Sequence, residues 1–367
     1  MGIKLGIDLG TLFSRVCSVD EFGVVRILDT PEGGHSMPSV VFIDPNIGEV
    51  LVGDDAQLEG SLYPENLIEY IKLYLAEFDY SVSVNKTEYS AVDLCSFILS
   101  KLIRNAEMYF PEGEIEGAVI AYPIWLGDCF GHEALIKMAG KVVMDNGQRL
   151  KVLRFIPEFE AVGTAYIDLR NDFTKKNILV CDLGGTFSTC VLKLTNSDGC
   201  KSAKIVTCSG TKLLGGRNWT DAIAGIIRNK FCEQTGVDED EMLSDPDQIQ
   251  WYNEKSERVK RMLSSKEMVR ITPSYNGYKE AIEVTREDFE RATEFLLDEL
   301  ILTIKNMMSH ADLSMENDID EVVLVGGGCR MPQITTRLKT EFDKPTVFFM
   351  PEFAVAEGAA IIANSIK

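Results

Sequence analysis

Two short segments about half a chain apart hold the residues that invite chemistry. Residues 177–194, NILVCDLGGTFSTCVLKL, are an apolar run that ends in Asp182, turns on Gly184 and Gly185, and resumes as a second strand. Residues 4–17, KLGIDLGTLFSRVC, repeat that plan with Asp8, Gly10 and Thr11. Glycines in such a turn let backbone N–H groups come close to an anion. An aspartate at its mouth can hold Mg2+ through a water shell, because magnesium dehydrates reluctantly. The hydroxyls of Thr11 and Thr186 can contact phosphate. One Asp-x-Gly is an ordinary turn. Two copies, each after a buried strand and each followed by Thr, read as an internal repeat of acidic phosphate loops.

Other candidates are weaker alone. Gly326-Gly327-Gly328 stands between an apolar strand and a helix, where it can cradle an anion, let a ribose or base lie flat, or simply turn the chain. Glu257, Lys260, Arg261 and Ser264 fall at i, i+3, i+4 and i+7, so they share one helical face. Such a face is commonly a solvated, salt-bridged one. Lys72 lies in an otherwise apolar stretch, where a snorkelling lysine is the usual outcome. Glu158 follows Pro157 at a helix start, a common place for an acid.

The elements that must position these residues follow from pattern. Residues 4–28 read as two or three strands joined by tight turns, and residues 38–43 as another. Residues 64–78 read as a helix with Leu67, Ile71, Tyr74 and Phe78 on one face. Residues 91–110 form a strongly amphipathic helix, followed by strands at 117–122 and 150–156 and helices at 130–144 and 159–168. The pattern restarts with strands at 177–181, 188–195 and 204–209, then a helix at 219–235. Residues 237–248 read as acidic and loop-like, and residues 249–263 as a charged helix. Asn276-Gly277 joins residues 268–275 and 278–284 into one hairpin. Residues 286–309 read as one long helix, 321–325 as a strand, and 332–342 and 351–366 as helices, the last returning to the first half.

Composition narrows the classes. The 367 residues favour two or three domains with a sizeable core. A formal net charge of −20 repels nucleic acid and anionic membranes, although a cleft can still gather a few cations. The nine cysteines are scattered without a Cys-x-x-Cys pair, so a zinc site or disulfide framework is not expected and reduced thiols are. Met1-Gly2-Ile3-Lys4 runs straight into a strand pattern, so no signal peptide is expected, and Gly6 stands where a myristoylation signal needs Ser or Thr. No apolar run reaches membrane-spanning length.

These pieces in this order resemble the ATPase domain of the Hsp70 (DnaK-like) chaperone family, as a divergent member, over nearly the whole chain. Gly6-Ile7-Asp8-Leu9-Gly10-Thr11 looks like the first phosphate loop and Asp182-Leu183-Gly184-Gly185-Thr186-Phe187 like the second. Pro64-Glu65-Asn66 leads to Lys72 at the family spacing. Ile156-Pro157-Glu158, with Ala161 and Ala165-Tyr166, resembles N-E-P-T-A-A-A-x-A-Y. Gly210-Thr211 with Leu214-Gly215-Gly216 resembles G-D-T-x-L-G-G. Residues 257–265, ERVKRMLSS, are close to E-R-A-K-R-x-L-S-S, the most specific match. Residues 323–332, VLVGGGCRMP, are similar to V-L-V-G-G-S-T-R-I-P. Pro351, residues 354–356 and Gly358-Ala359-Ala360 match the closing helix.

The resemblance implies an α/β, actin-like ATPase fold: two lobes of mixed β-sheets with flanking helices around a nucleotide cleft. Lobe I is residues 1–170, completed by 351–367, and lobe II is 171–350. It implies ATP/ADP with Mg2+, the metal held through water by Asp8 and Asp182. Lys72, Glu158, Asp182 and Thr186 carry catalysis, Lys72 steadying the γ-phosphate and Glu158 orienting the attacking water. Asp8, Gly10, Thr11, Leu12, Gly184, Gly185, Gly215, Gly216, Glu257, Lys260, Arg261, Ser264, Gly326, Gly327, Gly328, Arg330 and Glu352 hold the nucleotide. The expected function is slow ATP hydrolysis by a cytoplasmic, monomeric nucleotide-binding domain. Its lobe closure would control a peptide-binding domain that accepts client peptides, with a J-domain co-chaperone and a nucleotide exchange factor as partners. That domain does not follow Lys367 here, which is expected of an excised domain; a naturally short relative is the alternative.

Several positions depart from the family pattern. Leu12 and Phe13 replace a second Thr and its polar or aromatic follower, and Gly184-Gly185 stands where three glycines are usual. Ser188 replaces an aspartate, Pro157 an asparagine, Phe159-Glu160 a Pro-Thr, Leu73 an arginine, and Gly328 a serine. These favour ATP binding over fast turnover. A nucleotide-sensing pseudo-ATPase or regulatory module is therefore the main alternative, with an actin-like polymerising scaffold and a sugar kinase behind it.

Overall fold

Two five-strand paths run through the molecule with the same order and the same senses. The computed structural model describes residues 2–111, 114–170, 172–197, 200–350 and 352–367; Met1 and Pro351, on which two of the readings above fall, lie outside them. The first path runs Val152–Pro157, Ile115–Tyr122, Ile3–Asp8, Phe13–Val19, Val25–Ile27, with Met37–Pro38 joined to Phe13–Val19. The second runs Thr346–Phe348, Glu321–Val325, Lys175–Leu183, Phe187–Ser197, Cys200–Thr211. In each, the first strand of a repeat pairs antiparallel with the strand after its glycine turn and parallel with a strand from much later in the chain. The inner strands are covered on both faces: Leu5 and Ile7 are buried on one face and Gly6 lies against Ala360 on the other, and Ile178, Leu179 and Val180 in succession have no exposed surface.

Helices cover these sheets. Ala91–Glu107, started by a capping box of Ser90 and Asp93, packs with Cys129–Ala139 into the first core. Gly216–Thr235 and Pro246–Leu263 pack with Glu294–His310 into the second, around Trp219, Phe231 and Tyr252. A third core lies between the sheets, built from the helices Glu158–Leu169 and Ala354–Ser365 and from Val119, Ile156, Val180 and Val323. The helix Ala354–Ser365 lies flush on the strand Ile3–Asp8, with Gly6 against the backbone of Ala360.

Several elements differ from the pattern reading, each for a local reason. Residues 64–78 are not one helix. Pro64–Asn66 and Ile71–Tyr74 are 3-10 turns on either side of a short strand, Leu67–Ile68, which pairs with Val41–Ile43. Tyr70 adopts a left-handed conformation (φ 57°) that no helix continues through, and Phe78 is 53% exposed. The stretch 38–43 is split, because Pro38 pairs with Phe13 while Val41–Ile43 joins a separate sheet. The helix Cys129–Ala139 stops at Gly140, and Val143 bridges to Arg149. The acidic stretch after Val237 is a capping region: Asp238 caps Glu239–Leu243 and Asp245 caps Pro246–Leu263. Pro273, which has no N–H to give, divides the hairpin into two ladders, Met268–Ile271 with Ile282–Thr285 and Ser274–Tyr275 with Tyr278–Lys279. The long helix breaks at the buried Thr293, whose hydroxyl bonds the carbonyl of Phe289 (2.8 Å) and Gln333 Oε1 (3.1 Å), leaving Arg286–Ala292 and Glu294–His310. The small hairpin Ser81–Val84 with Thr87–Ser90 and the strand Thr346–Phe348 were not expected from pattern.

Candidate functional site

Strand register brings the chemistry together. Asp8 is the last residue of its strand and lies beside Ala121, which lies beside Ile156. The neighbouring strands therefore end together, delivering Pro123 and Glu158 to the same rim as Asp8. In the second sheet Asp182 lies beside Val325, so Gly326 follows immediately next to it. Gly326 has φ 82°, and a Cβ there would stand 2.5 Å from Asp182 Oδ1. No side chain fits that crossing.

Between these rims lies a cleft of about 470 Å³. It is lined by Asp8, Gly10, Thr11, Leu12, Lys72, Glu158, Asp182, Gly184, Gly185, Thr186, Gly216, Glu257, Lys260, Arg261, Ser264, Gly326, Gly327, Gly328, Arg330 and Glu352. Gly215, the remaining candidate, sits behind it with its backbone against the carbonyl of Gly185. The two glycine turns touch, since a Cβ on Gly185 would stand 2.7 Å from Thr11 Cβ.

Lys72 does not snorkel. It is buried, and its Nζ lies 2.7 Å from Glu158 Oε1. Asp8 is pushed up to about 6 by burial and by Glu158, against the pull of Lys72 and Arg15. Asp182 is pushed up to about 8 by burial, Glu158 and Asp8, with Lys72 and Arg15 opposing. Buried carboxylates that resist ionising in this way form a donor set short of positive charge, which suits a hydrated divalent cation.

On the other wall, Lys260 Nζ is 2.6 Å from Glu257 Oε2 and also donates to the carbonyl of Gly216 and to Thr220 Oγ1, both at 2.9 Å. Arg261 Nε donates to Glu257 Oε1 (2.9 Å), and its guanidinium faces the Phe13 ring across the cleft at 6.0 Å. The helical face 257–264 is thus a wall of the cleft, with Lys260 buried in it. Arg330 Nε pairs with Glu352 Oε1 at 3.0 Å.

Two cations, one in the loop before Gly216–Thr235 and one in that helix's first turn, cross to the segment that carries Lys72. Lys212 donates to the carbonyl of Leu73 (2.8 Å) and lies 4.8 Å from the Trp125 ring centre. Arg217 Nη1 donates to the Tyr70 hydroxyl (3.2 Å), while its other nitrogens bond Asp221 (2.6 Å) and Asn253 (3.1 Å).

Phe13, Arg15, Ser36, Pro123, Ser188, Val325, Met331, Ala354 and Val355 also line the cleft, and none of them is a binding candidate by sequence. Arg15 carried a readable signal. It is the strand partner of Asp8, as Ser188 is of Asp182, and cross-strand partners share a face. Segments such as Ser36 and Ala354 reach the cleft only through tertiary packing.

The family model described as Hsp70 protein matches residues 4–367. The chain is 33% identical over 368 residues to the Chaperone protein DnaK of Thermotoga neapolitana, covering 98% of this chain and 59% of that one. It is 34% identical over 367 residues to the Chaperone protein DnaK of Thermosipho melanesiensis, covering 98% and 58%. The chain therefore spans a little under three fifths of the length of these curated relatives.

Proposed function

Because this chain belongs to the Hsp70 protein family and has its actin-like ATPase fold, we propose that its cleft binds ATP and ADP and hydrolyses ATP slowly. In this reading it is the nucleotide-binding part of a DnaK-like chaperone. Residues 1–170 with 351–367 form one lobe and 171–350 the other. The observation that carries the reading is the pair of buried Lys72 and half-buried Glu158, 2.7 Å apart, in one cleft with Asp8 and Asp182.

Each group then has a task. Lys72 presents a fixed positive charge to the terminal phosphate. Glu158, held by Lys72, orients a water for in-line attack, and phosphoryl transfer asks little more of a protein than positioning and charge. Thr11 and Thr186 offer hydroxyls to phosphate oxygens, and the N–H groups of the turns at Gly10 and at Gly184-Gly185 cradle the chain of phosphates. Gly216, Glu257, Lys260, Arg261 and Ser264 on one side, with Gly326-Gly327-Gly328, Arg330 and Glu352 on the other, hold the nucleoside. Asp8 and Asp182 would hold Mg2+ through water, and the metal would supply neutralisation of phosphate charge.

Partners follow from the family: a J-domain co-chaperone, a nucleotide exchange factor, and client peptides bound by a further domain. A cytoplasmic, monomeric protein fits this reading, and no helix among the described residues is long and apolar enough to cross a membrane. Nucleotide sensing with negligible turnover is a second reading, favoured by one observation: Ser188, not a carboxylate, faces Asp182 across the strands.

Single-turnover hydrolysis with magnesium separates them. ADP formation that collapses in Lys72→Ala and Glu158→Ala supports the ATPase. Tight ATP binding with no ADP formed supports the sensor. Failure to bind either nucleotide overturns both.

A further inference from the structure

Arg15 is a charged group in the cleft to which the reading above gives no task. It stands on the strand Phe13–Val19 directly opposite Asp8. Its side chain is 11% exposed, yet it lines the cleft. Three contacts fix it there. Nε donates to Ser36 Oγ at 3.0 Å, the guanidinium lies 5.5 Å from the Phe353 ring centre, and Nη1 is 3.7 Å from Asp8 Oδ2.

The last distance is decisive. At 3.7 Å the pair attracts without forming a hydrogen bond, so the four N–H bonds on the two Nη atoms have no hydrogen-bond acceptor among the described residues. Lys72, by contrast, already spends a bond on Glu158 at 2.7 Å. Glu158, Asp8 and Asp182 thus face the cleft with two cations: Lys72, a point charge already turned to Glu158, and Arg15, whose four Nη N–H donors lie in one plane. A guanidinium held at Nε and stacked on an aromatic ring keeps a rigid, open fork, the shape that takes two phosphate oxygens at once.

We propose that Arg15 is a phosphate-binding residue that grips the terminal phosphate of a nucleoside triphosphate, so that this chain tells ATP from ADP by a contact made on its own first strand pair. The inference rests on the nucleotide reading given under Proposed function. Losing one charge-assisted bidentate contact changes affinity by about tenfold to a hundredfold.

The test is calorimetric titration of the whole chain with magnesium and either ADP or the imido analogue of ATP, which is not hydrolysed. In Arg15→Gln the preference for the triphosphate analogue over ADP is expected to fall about tenfold or more, with ADP affinity within about twofold of wild type. Arg15→Lys keeps the charge and loses the fork, and should fall between the two. An unchanged preference in Arg15→Gln overturns the proposal, as does equal loss of both ligands. A Lys variant indistinguishable from wild type overturns the two-oxygen grip, and it serves alone should the Gln variant fail to fold. A wild type that binds neither ligand instead sinks the nucleotide reading itself.

Discussion

The two aspartate turns are built on the same strand plan and face each other across the cleft, yet they differ in charge. Opposite Asp8 stands Arg15; opposite Asp182 stands Ser188. Both carboxylates are pushed upward by burial, Asp8 to about 6 and Asp182 to about 8. The first turn carries its own counter-charge, and the second depends on whatever enters the cleft. Repetition of backbone therefore does not repeat function. The scaffold fixes where a carboxylate points, and a single cross-strand neighbour decides how much it needs a cation.

The comparison can be broken most directly at the aspartates. Replacing either with Asn should weaken magnesium-dependent ADP binding by about tenfold to a hundredfold, the range for groups that act on a metal through an outer shell. The loss should be larger in Asp182→Asn, because the Asp8 carboxylate already shares its charge with Arg15 while Asp182 faces only Ser188. Equal losses by calorimetry would show that the asymmetry has no consequence.

The contact between the turns comes next. Gly185→Ala places a methyl 2.7 Å from Thr11 Cβ. Forcing the turns apart should cost about 1–3 kcal/mol of stability, as overpacking does. A urea midpoint equal to wild type would mean that they part freely.

A smaller effect is expected where the second half grips the segment bearing Lys72. Arg217→Ala removes bonds to Tyr70, Asp221 and Asn253, and should speed release of a fluorescent ADP about tenfold, roughly the worth of one hydrogen bond to a charged group. Unaltered release in stopped flow would place the grip outside the opening motion.

The smallest test lies away from both turns. Burial raises Glu257, but Lys260, Thr220 and Arg261 outweigh it and hold the acid down from 4.5 to about 2. A depressed folded value stabilises above the unfolded pKa and is lost as pH falls through the folded one. Glu257→Gln should therefore be less stable than wild type at pH 7, and the gap should narrow below about 4.5 and close near 2. A gap that stays constant from pH 7 to pH 3 would remove Glu257 from the acid response.

Much of this site was legible in the sequence because its parts are local. A carboxylate, a glycine turn and a hydroxyl within five residues need no tertiary knowledge, and the same holds for Gly326-Gly327-Gly328 after its strand. The charged face from Glu257 to Ser264 was visible as spacing, but whether it met solvent or a cleft was not. Failures came where distant pairing overrode local preference. The apolar spacing around Lys72 suits a helix, yet Leu67–Ile68 takes the free edge of Val41–Ile43. Thr293 looks harmless in a helix until Gln333 arrives to bond it. Arg15 is a candidate only once the tight turn in residues 4–28 is carried through to the pairing that sets it opposite Asp8.

The helix Ala354–Ser365 carries a consequence for how the chain comes into being. It covers the first strand, and Lys4 donates to the carbonyl of Ile366, 362 residues along the chain. Closing so long a loop costs little more in entropy than closing one half its length. It does cost time: at about 5–20 residues per second, synthesis of the intervening chain takes roughly 20–70 s. Through that interval the sheet face of Gly6, Cys17 and Val119, which lie side by side under the final helix, has no permanent cover, so this strand must be kept from other partners before it can be sealed by its own.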